Sequence, residues 1–238
     1  MIANANASAS AELCQSFISS QLKGADKPSV VVGKNVRRAV TISRQAGCGA
    51  GIVAEKLAHY LHHHSSGDAC PWTVFDRNLI DRVLEDHNLP TRLAKFLPED
   101  RVSQIDDLLA DVFEVHPPAQ EIIEQTAETI LKLARLGNVI LVGRGGTMIT
   151  AKLPHVLHVR LVAPLEKRIE HAHQCYSLTV NEAYKFCLNQ DRARERYLKR
   201  YFSVNINDPL LYHLVVNTHL LGYDAAAKLI GDAVLNVN

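Results

Sequence analysis

The feature that most constrains the fold is a glycine-rich turn, residues 47–51, between an apolar run and an amphipathic segment. Residues 39–43 are apolar or β-branched and predict a buried parallel strand. Apolar side chains recur on one face of residues 52–63, which predicts a helix. Three alternating glycines let backbone N–H groups turn inward together, at the positive end of the helix dipole. This arrangement is typical of a phosphate-binding loop, although an ordinary strand-to-helix turn would have the same composition.

Strands and helices alternate along the rest of the chain. Apolar runs at residues 72–75, 139–142, 156–162 and 214–217 predict four more strands. Strands joined through helices form a parallel sheet covered on both faces, so we expect an α/β fold. The predicted helices occupy residues 52–63, 78–85, 102–113, 119–136, 164–173, 178–201 and 224–235.

Composition excludes several classes of function. The formal net charge is +1, so the basic face of a general nucleic-acid binder is not expected. No apolar run reaches the length of about 18 residues that a membrane helix needs. The five cysteines include no C-x-x-C pair, and residues 1–37 read as an N-terminal extension without the features of a secretion signal. These features favour a reducing cytoplasm.

A metal site at His62-His63-His64 is not predicted, because consecutive helical side chains point in different directions.

Cys48 has two interpretations. A thiol at a helix N-terminus can have a lowered pKa and be reactive, or it can be a small residue tolerated beside glycines.

The loop matches neither of two known glycine motifs fully. A P-loop requires G-x-x-x-x-G-K-[ST], but in the register that ends on Gly49 the first glycine is Arg44 and the lysine is Ala50. A dinucleotide fingerprint requires G-x-G-x-x-G and an acid after the second strand. Two glycines and Asp76 fit that fingerprint, whereas Ile52 stands at the third glycine. The loop alone leaves both motifs open.

Two further segments carry arginines. Gly143-Arg144-Gly145-Gly146 follows a predicted strand, where a guanidinium could grip a phosphate or simply be solvated. Residues 192–200 contain five Lys and Arg residues on a predicted helix. Such a helix is either a solvated face or a lid that closes over phosphates and excludes water.

Several short stretches occur in a characteristic order over residues 39–234. They are Val40-Thr41-Ile42-Ser43-Arg44-Gln45 with Gly47-x-Gly49, Phe75-Asp76-Arg77-Asn78-Leu79-Ile80, Val142-Gly143-Arg144-Gly145, Val159-Arg160-Leu161-Val162-Ala163-Pro164 with Arg168, Asp191-Arg192-Ala193-Arg194, and Asp208-Pro209 with Tyr212 and Asn217-Thr218. As a set they resemble the cytidylate kinase-like family, relatives of the nucleoside monophosphate kinases. The resemblance implies a three-layer α/β/α P-loop NTPase fold of the nucleoside monophosphate kinase type over residues 38–238. It also implies a cytoplasmic enzyme that uses ATP and Mg²⁺, the metal held mainly by phosphates and water, to phosphorylate a nucleoside monophosphate such as CMP.

The resemblance assigns roles to individual residues. Residues 90–118 would form a mobile acceptor-binding region and residues 178–210 a lid. The donor site would comprise Arg44, Gly47, Cys48, Gly49, Ala50 and Gly51; the acceptor site Asp76, Arg77, Arg144 and Asp191; and the catalytic arginines Arg144, Arg192 and Arg194.

Departures from the family pattern keep other functions open. Ala50 replaces the loop lysine, Gly145 replaces the aspartate that follows the Gly-Arg motif, and Cys187 and Leu188 replace an Arg-Asp pair in the lid. An arginine at a phosphoryl-transfer transition state is worth roughly 10³–10⁵ in rate. Either nearby arginines compensate for the lysine, or the chain is a non-catalytic nucleotide-binding module. A dinucleotide-dependent oxidoreductase is a third alternative.

Overall fold

The computed structural model describes residues 37–65, 70–76, 120–143 and 145–236. Residues 1–36, the proposed acceptor-binding region at 90–118, and the two helices predicted at 78–85 and 102–113 lie outside the described residues. Arg77 and Arg144 also lie outside them.

Five strands form one sheet in which every neighbouring pair is parallel. The strand order is β2-β3-β1-β4-β5, so the first strand lies at the centre of the sheet. This confirms the predicted three-layer α/β fold, and the architecture is that of a P-loop kinase. The strands are β1 (Ala39–Arg44), β2 (Thr73–Phe75), β3 (Val139–Val142), β4 (Val156–Val162) and β5 (Leu214–Asn217).

Helices cover both faces of the sheet. The described helices are α1 (Ala50–His64), α2 (Gln120–Leu136), α3 (Gly146–Ile149), α4 (Leu165–Tyr176), α5 (Val180–Phe202), α6 (Thr218–Leu221) and α7 (Tyr223–Asn236), with a 3₁₀ turn at Pro209–Leu211. Side chains of α1 and α7 form the main core with alternate residues of β1, β3, β4 and β5, such as Val40 and Ile42 of β1. The residues between them, such as Thr41, face the opposite layer, where α2 and α3 pack.

Helices α4 and α5 pack against each other through a smaller apolar cluster that includes Ala172 and Cys187. The sequence places α5 at residues 178–201, but the helix begins at Val180 because Thr179 and Glu182 form a capping box. Short helices α3 and α6 were not predicted, since four residues are too few to show a helical period. Within the described ranges, no helix is both long and apolar enough to cross a bilayer.

Candidate functional site

The glycine turn joins β1 to α1 at the carboxyl edge of the sheet. Gly47 and Gly49 both adopt left-handed backbone conformations, with φ of 78° and 75°. Gly49 is the N-cap of α1, and no side chain caps this helix end or places a carboxylate in its first turn. Because the first N–H groups of a helix lack intrahelical partners, this end of α1 is suited to an anion.

Close packing explains why two turn positions must be glycine. A Cβ at Gly47 would lie 2.3 Å from the backbone oxygen of Arg168, and one at Gly49 would lie 2.3 Å from the Tyr223 ring. Gly51 differs, because it lies inside α1 with nothing within 4 Å of a Cβ built there. The turn therefore consists of residues 47–49, and Gly51 belongs to the helix.

A cluster of charged side chains holds the loop in place. The Asp191 carboxylate on α5 accepts hydrogen bonds from the Ala46 backbone N–H at 2.7 Å, from Arg168 at 2.6 Å and from Arg194 at 3.2 Å. Arg168 on α4 also donates to the carbonyl oxygens of Ala46 and Ala163. We call Asp191, Arg168 and Arg194 the loop clamp. It connects the loop, α4 and α5 through one carboxylate.

Cys48 is a buried residue of the loop. Burial raises the pKa of its thiol to about 11, and the positive charges of Arg44, Arg194 and Arg168 oppose this rise. The thiol is therefore protonated at neutral pH. Desolvation outweighs the helix N-terminus and the nearby cations, which favours the interpretation of Cys48 as a small residue tolerated beside glycines.

A cavity of ≈ 280 Å³ opens at the carboxyl ends of β1 and β3, beneath α5. Arg44 and Arg194 line it, and none of the described lining residues is acidic. The Arg44 guanidinium lies over Gly143, where a Cβ would come within 1.9 Å of its Nη1. Apolar and aromatic side chains form much of the rest of the wall: Ile42, Met148, Tyr197, Leu198, Ile206 and Tyr212. Neutral polar side chains also line it: Thr41, Ser43, Thr147 and Gln190. We call this space the inner cavity.

A second cavity of ≈ 300 Å³ adjoins the loop where it meets α4 and α6. Gly47 and Cys48 line it together with Thr218 and Tyr223. The buried Thr218 hydroxyl donates to the Cys48 carbonyl at 2.9 Å and so fixes the loop against α6. We call this space the outer cavity.

Four of the predicted site residues line the two cavities, and three others lie away from them. Arg44 and Arg194 meet at the inner cavity, and Gly47 and Cys48 line the outer one. Ala50 is buried in the main core. Arg192 and Asp76 are exposed, and neither lines the two cavities.

The position of Asp76 excludes the dinucleotide-binding arrangement. That arrangement needs the second strand beside the first, so that its terminal acid meets the ribose next to the glycine loop. Here β3 lies between β1 and β2, which puts Asp76 two strand spacings, about 10 Å, from the end of β1. The alternative of a dinucleotide-dependent oxidoreductase is therefore wrong.

Two structurally important arginines, Arg160 and Arg168, have no role that the sequence patterns predict, although both stand in the stretches that resemble the family. Arg168 is buried and donates to the carbonyl oxygen of Ala46, beside the glycine turn. Arg160 is buried at the centre of β4, next to Ser43 in the register of the sheet. The available signal for Arg160 was a permanently charged residue within the run of residues 156–162, which is apolar apart from Arg160 and His158.

The fold and the loop together define a class of protein, the kinase-like α/β proteins with a glycine-rich loop after the first strand. The profile of the cytidylate kinase-like family matches residues 39–220, which include all five strands and the loop clamp. The chain belongs to this family.

Individual relatives are distant. The cytidylate kinase of Methanococcus aeolicus is 22% identical over 156 residues, which cover 65% of this chain and 88% of that protein. The uronate isomerase of Corynebacterium glutamicum is 30% identical over 106 residues, 44% of this chain, and the chain spans only 20% of that protein. An uncharacterised protein from Eubacterium ventriosum has a solved structure with a TM-score of 0.55, 18% identity and coverage of 83% of this chain and 98% of its own. That likeness concerns the fold.

Proposed function

We propose that this protein transfers the γ-phosphoryl group of ATP to a nucleoside monophosphate, with CMP as the first acceptor to test. The observation that carries the proposal is the position of the two cavities relative to the anchored loop. Gly47 and Cys48 of the loop line the outer cavity, and the inner cavity lies at the end of β1, the strand that leads into the loop. Family membership and the name of the Methanococcus aeolicus relative, cytidylate kinase, support the same reaction.

In this proposal the donor phosphates bind the loop and the uncapped start of α1. The donor's nucleoside occupies the outer cavity, whose wall includes Gly47, Cys48 and Tyr223. The acceptor occupies the inner cavity, between the end of β1 and α5. In such a reaction the protein contributes mainly positioning and neutralisation of charge.

Arg44 and Arg194 take the place of the missing loop lysine. Both line the inner cavity, and both lie close enough to the loop to oppose the rise in the Cys48 pKa. Arg194 is partly satisfied by Asp191, which fixes its direction, whereas Arg192 is exposed and away from the cavity. We therefore propose that Arg44 and Arg194 stabilise the negative charge of the transition state, and that Arg192 does not.

Mg²⁺ enters this proposal with the nucleotide. Among the described residues, no group of three or more His, Cys, Asp and Glu side chains converges as a metal cage. Phosphate oxygens and water are ligands that Mg²⁺ accepts readily.

The test is turnover. Purified protein is incubated with ATP, Mg²⁺ and a panel of nucleoside monophosphates, and formation of diphosphate is measured. We expect turnover with at least one pyrimidine monophosphate, and a loss of roughly 10³-fold in kcat for Arg194→Ala. Arg192→Ala is the matched control on the same helix and should lose far less. No turnover across the panel, with ATP still raising the melting temperature, would contradict the kinase proposal.

That contrary result would favour the second candidate, a non-catalytic nucleotide-binding module. Its specific support is Ala50. The residue is buried in the main core, so no cation projects from the usual lysine position.

A further inference from the structure

Arg160 is a buried cation whose described partners are all neutral. Its side chain lies on β4 with only 5% of the residue exposed. One Nη donates to Ser43 Oγ at 2.9 Å and the other to Asn207 Oδ1 at 2.9 Å, while the guanidinium lies 5.7 Å from the centre of the Tyr212 ring. Across the described parts of the chain, no carboxylate lies within ion-pair distance of it.

Such an arrangement is costly on its own. A buried charge loses its hydration, and hydrogen bonds to neutral groups restore only part of that free energy. The contrast with Arg168 is direct, since that buried guanidinium has the Asp191 carboxylate at 2.6 Å. Arg168 therefore has a counter-charge, whereas Arg160 has none among the described residues.

The neutral partners of Arg160 connect it to the inner cavity. Ser43 and Tyr212 both line that cavity. The Tyr212 hydroxyl donates to the Ile206 carbonyl at 2.9 Å, and Ser43 Oγ accepts from Arg160. Ser43 Oγ also lies 3.4 Å from the Tyr212 hydroxyl, a long contact that a closer ligand oxygen would replace. The Ser43 hydroxyl proton can then be donated into the cavity, and the adjacent cation makes it a stronger donor.

We propose that Ser43, backed by Arg160, forms a subsite for an anionic group of the acceptor at this end of the inner cavity. The ligand class is a phosphate monoester. Ser43 contacts the phosphate directly. Arg160 is a positioning residue that orients the Ser43 hydroxyl, and the phosphate supplies the counter-charge that no described residue gives Arg160. This inference rests on the proposed function, because it assigns the inner cavity to the acceptor.

The subsite gives the inner cavity a preference for a phosphorylated acceptor over the neutral nucleoside. Charge-assisted hydrogen bonds are about twice as strong as neutral ones, so a phosphorylated acceptor gains far more from this corner than its neutral nucleoside. The absence of acidic side chains among the described lining residues removes any competing repulsion.

Binding to the full chain tests the proposal without relying on catalysis. Calorimetric titrations with CMP, cytidine and ATP are compared for wild type, Arg160→Met, Arg160→Lys and Ser43→Ala. We expect Arg160→Met and Ser43→Ala to weaken CMP binding roughly ten- to hundred-fold, with the affinities for cytidine and ATP unchanged. Arg160→Lys should recover part of the loss. Lys228→Met, which removes an exposed cation from α7, is the matched control and should bind all three ligands normally.

A second measurement tests the subsite even if CMP does not bind to the protein. The melting temperature is measured in inorganic phosphate and in chloride at equal ionic strength, and phosphate should raise it more in wild type than in Arg160→Met. Equal effects of phosphate on both proteins, or equal losses of CMP and cytidine affinity, would overturn the subsite. Wild-type turnover that survives Arg160→Met with unchanged KM would also overturn it and leave the kinase proposal intact. Arg160-dependent phosphate binding without turnover would support the subsite and contradict the kinase proposal.

Discussion

At the scale of single residues, two glycines at the start of α1 have different physical justifications. Gly49 has a φ of 75°, and its missing side chain makes room for the Tyr223 ring of α7. Gly51 has ordinary helical geometry and open space around it. Sequence alone made the two look equivalent, because both belong to one alternating glycine pattern.

Gly49→Ala should lower the free energy of unfolding by about 2 kcal/mol or more, from left-handed strain and from the clash with Tyr223. Gly51→Ala should raise it by about 0.5–1 kcal/mol, because alanine is the better helix former. Urea denaturation of the two variants beside wild type measures both changes. Equal effects at the two positions would contradict the assignment of Gly51 to the helix.

At the scale of secondary-structure elements, the loop clamp holds α4, α5 and the end of β1 together. Asp191 supplies its only carboxylate, with 27% of the side chain exposed, against 7% for Arg168. The Lys167–Glu170 pair on α4 gives a contrast, because its side chains are 49% and 54% exposed. A buried pair that loses one partner leaves a charge without compensation, whereas an exposed pair returns to water.

We therefore expect Asp191→Asn to cost about 2 kcal/mol of stability, somewhat less than a fully buried pair. Glu170→Gln should change stability by less than about 0.5 kcal/mol. Thermal unfolding followed by circular dichroism compares the two variants at one pH and salt concentration. A loss for Asp191→Asn no larger than that for Glu170→Gln would show that the clamp does not stabilise the fold.

At the scale of the whole molecule, a polar chain runs through the layer between the sheet and α3. His158 Nδ1 lies 2.8 Å from the Thr41 hydroxyl, which lies 3.1 Å from the Thr147 hydroxyl of α3. Burial, together with a smaller effect of the nearby His213, lowers the pKa of His158 from 6.5 to about 4. The imidazole is therefore neutral in the folded protein at pH values where an unfolded chain would already be protonated.

Stability should depend on pH through this residue. Above pH 6.5 His158 is neutral in both states, and its contribution is fully present. As the pH falls towards 4, protonation favours the unfolded state, and the lost stability approaches roughly 3 kcal/mol. His158→Gln, which keeps a polar side chain but does not titrate, should flatten this part of the curve. Denaturation midpoints between pH 7 and pH 4 measure the effect, and an unchanged slope in the variant would rule out His158 as its source.

Local patterns along the chain determined most of the fold. Apolar runs predicted the bounds of all five strands to within one residue, and the glycine turn predicted the position of the loop. Both signals are local, because the spacing of buried side chains and the steric limits of the backbone depend on residues close together in sequence. The tertiary structure alone decided which strands lie side by side and which charges meet. It placed β3 between β1 and β2, which separated Asp76 from the loop, and it paired Asp191 with Arg168 but left Arg160 with Ser43. These contacts join residues far apart in sequence, and their free energy depends on desolvation in the folded core, which no local pattern records.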